Sequence, residues 1–434
     1  MTGPRGAMTV TGVVRARETS RARDLAAAAP IVVLRATAAA LAVAALGQVA
    51  PSLVNVAGGG LAVETQLRIG WLYTMAGHAV SVAAVGALGN SSDGELVAGV
   101  VSVRLGVLTV AAVAIAMIAV GARAAARRVD DVGVRRIVAG ASLALPYAAL
   151  IGGVNAAVSL RLDTGGGFWP DATRFASPTW EGFAIPGAMA LAAGTIGGWS
   201  VSERWMWPSG RVVRAGVRAF GWTIALSFIG VLTFATLRPE GLERYSVEMW
   251  SGGAERAALY IGHQTLLLPD QAMWVLAPSM GGCVTARVDD GAHDVLCLDR
   301  IPRARDPATW LLSELGRVDG SPPVAPMPWS AWLFVAVPTA AILLGFHRLG
   351  RWAPTFARAA ARGLLAGVVF AALVTAASLA STIWLHLGAG TSARSVALGP
   401  DPASTALLAL AWGSLGGAAV SVASYVPRRI NRLG

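Results

Sequence analysis

Charge is scarce in this chain: 14% of its 434 residues are Asp, Glu, Lys or Arg, and lysine is missing altogether. An ordinary soluble domain carries roughly a quarter charged residues, so this composition excludes a soluble enzyme with a tail. Cysteine is limited to Cys283 and Cys297, which rules out a metal cluster built on cysteine alone and leaves room for one disulfide. The five histidines, His78, His263, His293, His347 and His386, form neither His-x-x-x-His nor His-Glu-x-x-His, so zinc-hydrolase chemistry has no support. Walker A, Gly-x-Ser-x-Gly and dinucleotide glycine fingerprints are also missing. No enzymatic activity and no cofactor are therefore expected.

What is present is apolar. The hydrophobic set makes up 55% of the chain, the mean hydropathy is +0.59, and there are 51 glycines. Nine apolar runs approach the roughly 20 residues needed to cross a hydrocarbon core. They are Pro30 to Ala57, Ile69 to Leu88, Val97 to Gly121, Ile137 to Leu160, Gly182 to Ser202, Ala219 to Thr236, Ala331 to Phe346, Gly363 to Leu385, and Ala403 to Tyr425. Backbone groups in lipid must be bonded internally, and continuous apolarity without strict alternation selects helices over a barrel. Trp169, Trp180, Trp205, Trp207, Trp329, Trp332, Trp352 and Tyr425 fall at or beside run ends, as an interfacial aromatic belt requires.

The net charge of +11 comes entirely from 35 arginines. They are not gathered on one soluble face, so nucleic acid is not an expected partner and the lipid bilayer is. Arginine crowds into Met1 to Asp24, the turns holding Arg123 to Arg136, Arg204 to Arg218 and Arg348 to Arg362, and the tail with Arg428, Arg429 and Arg432. The positive-inside rule puts these five segments in the cytoplasm. Three apolar runs then lie between two cytoplasmic segments at the start of the chain, and only an even number of crossings connects them. The second run is the one expected not to span, because it carries His78 and Arg68 and leads into the polar stretch Asn90 to Glu95. The alternative, nine spans, exports the N-terminus. The first run is too long for a signal peptide and lacks a clear small-residue cleavage site, so it reads as an uncleaved helix.

The expected fold is all-α: a polytopic transmembrane helix bundle of about eight spans plus one re-entrant or interfacial segment, with a long exported insertion. The expected divisions are a basic cytoplasmic tail (1–24), an N-terminal transmembrane bundle (25–236), the insertion (237–330), C-terminal transmembrane helices (331–426) and a second basic tail (427–434). The insertion is net acidic, and its first part is apolar around Leu268-Pro269-Asp270. Proline with a following turn-former breaks or kinks a helix, so two short interfacial helices are expected there, covered by the turn-rich stretch Gly281 to Pro328.

Cys283 and Cys297 enclose a short loop on the side read as exported, where a disulfide persists. Polar groups at membrane depth are functional suspects because their burial is expensive. His78 and Asn155 are the best of these, with ordinary hydrogen bonding between helices as the alternative. His263 and Asp270 in the insertion could join them in lining a mouth, while His293 beside Asp289, Asp290 and Asp294 reads as solvated or as a weak divalent-ion site. No Asp or Glu sits centrally in any run, which weighs against a pump with an acidic relay. Gly194 to Gly198 and Gly413 to Gly417 carry the small-residue spacing that lets helix backbones approach closely.

Leu67-Arg68-Ile69-Gly70-Trp71, Gly77-His78-Ala79-Val80, the third run closing in Gly121 to Arg128, and Leu267-Leu268-Pro269-Asp270 followed by Trp274 resemble actinobacterial multipass proteins related to the cell-division membrane protein PerM. Asp270 departs from the asparagine usual there, and the Cys283 to Cys297 insertion is not part of that pattern. The likeness covers about a quarter of the chain. It implies an envelope or divisome role in the bacterial cytoplasmic membrane, through contacts with other membrane proteins and without catalysis. A small-solute or ion transporter or channel, with re-entrant elements near His78 and Pro269 lining a path, is the alternative.

Overall fold

The computed structural model describes residues 10–54, 62–90, 96–104, 106–129, 133–158, 160–162, 173–201, 208–237, 267, 269–288, 291–298, 300–302, 324–326, 329–389 and 392–430. The first half of the chain carries helices α1 (Val10–Gly47), α2 (Val49–Val54), α3 (Val63–Gly77), α4 (Leu108–Ala126), α5 (Val134–Ala141), α6 (Ala144–Ala157) and α7 (Thr179–Trp199). The second half carries α8 (Pro208–Leu237), α9 (269–279), α10 (Ala336–Phe346), α11 (Phe356–Ser381) and α12 (Pro402–Ile430). Seven helical stretches are long and apolar enough to cross a membrane, within α1–α2, α4, α5–α6, α8, the region of α10, α11 and α12. Helix α7 has 21 residues and packs among α4, α5 and α6. The α5–α6 stretch is interrupted at Ser142–Leu143. Pro146, in the first turn of α6, has no N–H to give back to Ser142, so the ladder breaks there.

The second apolar run does not form a membrane-length helix. Helix α3 stops at Gly77 after 15 residues, and the chain then enters strand β1 (Val82–Asn90), which turns back as β2 (Leu96–Arg104). Strands β3 (Leu160–Leu162), β4 (Thr173–Ala176), β5 (Cys283–Val288), β6 (Gly291–Cys297), β9 (Ile383–Ala389) and β10 (Ser392–Pro400) join them. Together they form one open antiparallel sheet in the order β3-β4-β1-β2-β9-β10-β5-β6, beside a short β7 (Arg300–Pro302) and β8 (Val324–Pro326) pair. The all-α expectation is corrected here: it holds for the helical bundle and fails at one of its ends. Four of the nine apolar runs, starting at Ile69, at Val97, at Ile137 and at Gly363, mix a helix with part of a strand. Mean apolarity over a long window cannot tell a buried strand from a helix turn.

Chain connectivity sorts the two ends of the bundle. Every strand of the large sheet lies in the connection entering or leaving α3–α4, α6–α7, α8–α10 or α11–α12. The opposite connections, α4–α5, α7–α8 and α10–α11, carry the arginine clusters. At that arginine end the Arg136 guanidinium donates to the carbonyls of Val129 and Val201, tying the end of α7 to the turn after α4.

Two large apolar cores lie among the described residues. One is built from α1, α3, α4, α6 and α7 around Met75, Ile118, Tyr147 and Ile151. The other is built from α8 to α12 around Met273, Leu276, Phe346 and Phe370. The glycine motifs sit where helices touch. A Cβ on Gly363 would lie 2.2 Å from the Gly417 carbonyl oxygen, and one on Gly194 would lie 2.4 Å from that of Gly140. Only glycine fits such backbone approaches.

The two halves are joined at the sheet end. Strands β2 and β9 pair from Gly99↔Ala389 to Arg104↔Trp384, which makes one sheet of hairpins from both halves. Gly106, just after β2, leaves no space for a side chain against the Ala380 carbonyl at the end of α11. The Cys283–Cys297 disulfide closes the β5–β6 hairpin. Asp401 fastens that hairpin to the bundle: its backbone N–H donates to the Cys283 carbonyl, its carboxylate pairs with Arg287, and it caps α12 by accepting the Ser404 N–H at 2.8 Å. These hydrogen bonds and the Arg287 charge outweigh the cost of partial burial and hold its carboxyl below the usual carboxylate range.

Candidate functional site

Antiparallel pairing sets Ser102 opposite His386 and Arg104 opposite Trp384. Because side chains alternate along a strand, these four share one face of the sheet. Glu181, in the first turn of α7, and Ser81, just before β1, complete a cavity of about 330 Å³ between the sheet and the bundle. Glu181 is buried, and its Oε2 accepts the Ser81 N–H at 3.1 Å and the Ser81 hydroxyl at 2.6 Å. The Arg104 guanidinium stands 3.5 Å from the same oxygen. That carboxylate is thus the electrostatic centre of the cavity, while the Arg104 Nε–H is buried with no hydrogen-bond partner among the described residues. Trp384 and His386 stack with ring planes 14° apart. The lining offers a carboxylate, a guanidinium, two hydroxyls and an aromatic shelf. Among the described residues no hydrogen bond links His386 to either serine.

His78 lies in the turn after α3 and is fully buried. Its Nδ1 is 2.7 Å from the Thr74 carbonyl oxygen and its Nε2 is 2.8 Å from the Tyr147 hydroxyl. A carbonyl can only accept, so Nδ1 carries the proton and Nε2 accepts from the tyrosine. Burial pushes the imidazole down to about 4 against the smaller opposing effect of the Thr74 bond, and the ring is neutral. Asn155, on α6, points its Nδ2 at the carbonyls of Ser177 and Pro178, each at 3.5 Å. This holds the α6 end against the start of α7.

Asp270 lies at the start of α9 and joins the halves. Its Oδ2 accepts the Leu108 N–H at the first turn of α4 at 3.1 Å, while Oδ1 is buried without a partner among the described residues. Burial raises its carboxyl to about 8, against the smaller lowering from the Leu108 N–H and its own backbone N–H. Trp274 on the same helix donates to the Ser381 carbonyl at 3.0 Å, and Trp412 of α12 donates to that of Met280 at 3.1 Å. Helix α9 and the turn that follows it are thus bonded to α4, α11 and α12. His263 lies outside the described residues, as does most of the first of the two helices expected in the insertion. His293 is placed only through its backbone, on β6.

The sequence-derived candidates therefore occupy separate places. His78, Asn155 and Asp270 each bond to their own neighbours, and none lines the cavity. Glu181, Ser81, Ser102, Arg104, Trp384 and His386 were not read as a group. The partners of Arg104 stand far away in sequence, at Glu181 and Trp384.

No known family, curated protein or solved structure matches the chain. What the architecture defines is a class: multiple apolar helices fit a membrane-embedded multipass protein.

Proposed function

We propose that this chain is a non-enzymatic, eight-span protein of the bacterial cytoplasmic membrane that acts through contacts between its exported sheet and other envelope membrane proteins, in cell division or envelope maintenance. One observation carries the reading: every hairpin of the eight-stranded sheet leaves one end of the bundle, and the arginine clusters leave the other. Charge asymmetry of this kind puts the arginine end in the cytoplasm, and with it both termini. Helix α7, packed on three sides by α4, α5 and α6, is the eighth span, and α3 rests within the sheet end without crossing.

The transporter alternative calls for polar groups gathered along a path. The described candidates instead hold helix ends and turns in place, between helices that approach to backbone contact at glycine. That arrangement supports a rigid platform.

Two experiments test the reading. Single cysteines at Arg128 and His386, both exposed, in a background without Cys283 and Cys297 are expected to label from the cytoplasm and from outside, respectively. A photo-crosslinking residue at His386 in growing cells is then expected to give a discrete adduct with a membrane protein, and one at Arg128 is not. No adduct from the exported face, together with solute flux through the purified protein in vesicles, would favour the transporter.

A further inference from the structure

A second pocket, of about 290 Å³, opens at the arginine end. Helix α8 contributes Arg211, Arg214 and Arg218, spaced three and four apart and so on one face. The turn after α10 contributes Arg348 and Trp352. None of the lining residues is acidic. Among the described residues no carboxylate forms an ion pair with Arg211, Arg218 or Arg348. The Arg211 guanidinium lies 4.8 Å from the centroid of the Trp352 ring. The Trp352 carbonyl accepts from the Arg362 guanidinium at 2.8 Å, which fixes the turn that presents the indole.

Three guanidinium groups, of Arg211, Arg218 and Arg348, converging from two elements are more than topology requires, since a positive-inside signal needs charge on a loop and not a shared cavity. Repulsion between them is relieved by an anion, and the planar fork of each guanidinium matches two oxygens of a phosphate. Next to the pocket, Leu343 and Leu344 of α10 and Val217 of α8 are exposed, which supplies apolar surface beside the charge. We propose that this pocket binds a phosphate-bearing anion, with the headgroup of an anionic phospholipid in the adjacent leaflet as its natural source. Basic pockets between membrane helices hold such headgroups by this combination of charge and neighbouring apolar surface. The assignment to the cytoplasmic leaflet rests on the topology proposed above; the binding itself does not.

The test uses the full chain in neutral detergent, titrated with phosphatidylglycerol, phosphatidylcholine and inorganic phosphate, with bound species counted by native mass spectrometry. Arg218→Gln with Arg348→Gln, both exposed, is expected to weaken phosphatidylglycerol binding roughly tenfold or more. Arg127→Gln with Arg128→Gln removes the same charge from the same end outside the pocket and is expected to leave binding unchanged. Phosphatidylcholine is expected not to compete. If inorganic phosphate binds as tightly as the lipid and is lost in the same variant, the anion site stands and its source is soluble. Should the double variant lose its fold, Arg211→Gln supplies the same readout. Full phosphatidylglycerol binding by the pocket variants, or equal loss in the Arg127/Arg128 pair, overturns the proposal.

Discussion

Asp270 makes the contact between the two halves sensitive to pH. Its carboxyl is buried, accepts one N–H from the start of α4, and is raised to about 8 mainly by burial. In the unfolded chain the same group ionises near its ordinary value of 3.8. A group whose folded value is raised holds its proton longer when folded, so stability is fully present below about 4 and is lost progressively as pH rises towards 8. At 1.36 kcal/mol per pH unit, the loss between pH 5 and pH 8 is on the order of 4 kcal/mol. Asp270→Asn keeps an oxygen acceptor for the Leu108 N–H in a side chain of the same shape and cannot ionise. His78 acts in the opposite direction: its folded value is lowered to about 4, so its contribution is lost as pH falls from 6.5 towards 4. That contribution is common to both proteins and cancels in their difference. Thermal unfolding in detergent, followed by tryptophan fluorescence from pH 5 to pH 9, is the assay. The expected result is coincident midpoints near pH 5 and a widening advantage for the asparagine variant through pH 8. Parallel curves over the whole range would refute the reasoning and mean that the carboxylate is solvated or paired in the folded protein.

Replacing Gly367 by Leu puts a Cβ 2.2 Å from the backbone carbon of Gly413. It should force α11 and α12 apart at a cost of about 2 kcal/mol or more, seen as a lower unfolding midpoint, whereas Gly153→Ala, with nothing within 4 Å, should be neutral. Tyr147→Phe removes the hydroxyl that donates to His78 and leaves a buried ring nitrogen unpaired, a loss of about 1 to 3 kcal/mol that the same unfolding assay reads. Cysteine-directed maleimide should label the folded protein only after reduction, and Cys283→Ser with Cys297→Ser should cost about 3 kcal/mol in the chain-entropy model. Glu181→Ala leaves the buried Ser81 hydroxyl without its acceptor and Arg104 without its counter-charge. It should therefore destabilise more than Glu181→Gln, which still offers an oxygen.

The parts of this fold legible in the sequence are those set by the expense of charge in lipid. Arginine clusters mark one end of the bundle because guanidinium groups are expensive to move across lipid, and the Ile69 to Leu88 run, set apart in the sequence by His78 and Arg68, does not form a membrane-length helix; its helix ends at Gly77. The sheet was illegible for a physical reason. Val82 to Leu88 and Val97 to Val103 are as apolar as a membrane helix, and each shares one apolar run with a helix, so mean apolarity does not announce the change of structure. What makes them strands is a partner far along the chain: Val103 of β2 faces Leu385 of β9, and no local window contains both. The cavity around Glu181 inherits the same difficulty, because its lining is assembled by strand register and not by spacing. A one-residue slip of β9 against β2 would turn Trp384 and His386 to the opposite face and leave Arg104 and Glu181 without their aromatic shelf. The register is held from both sides, by β10 pairing with β5 and by the bond of Trp274 to Ser381 two residues before β9 begins. The second half of the molecule therefore holds in place the strand that completes a cavity whose charged groups belong to the first, and the chemistry at the sheet end depends on the two halves staying docked.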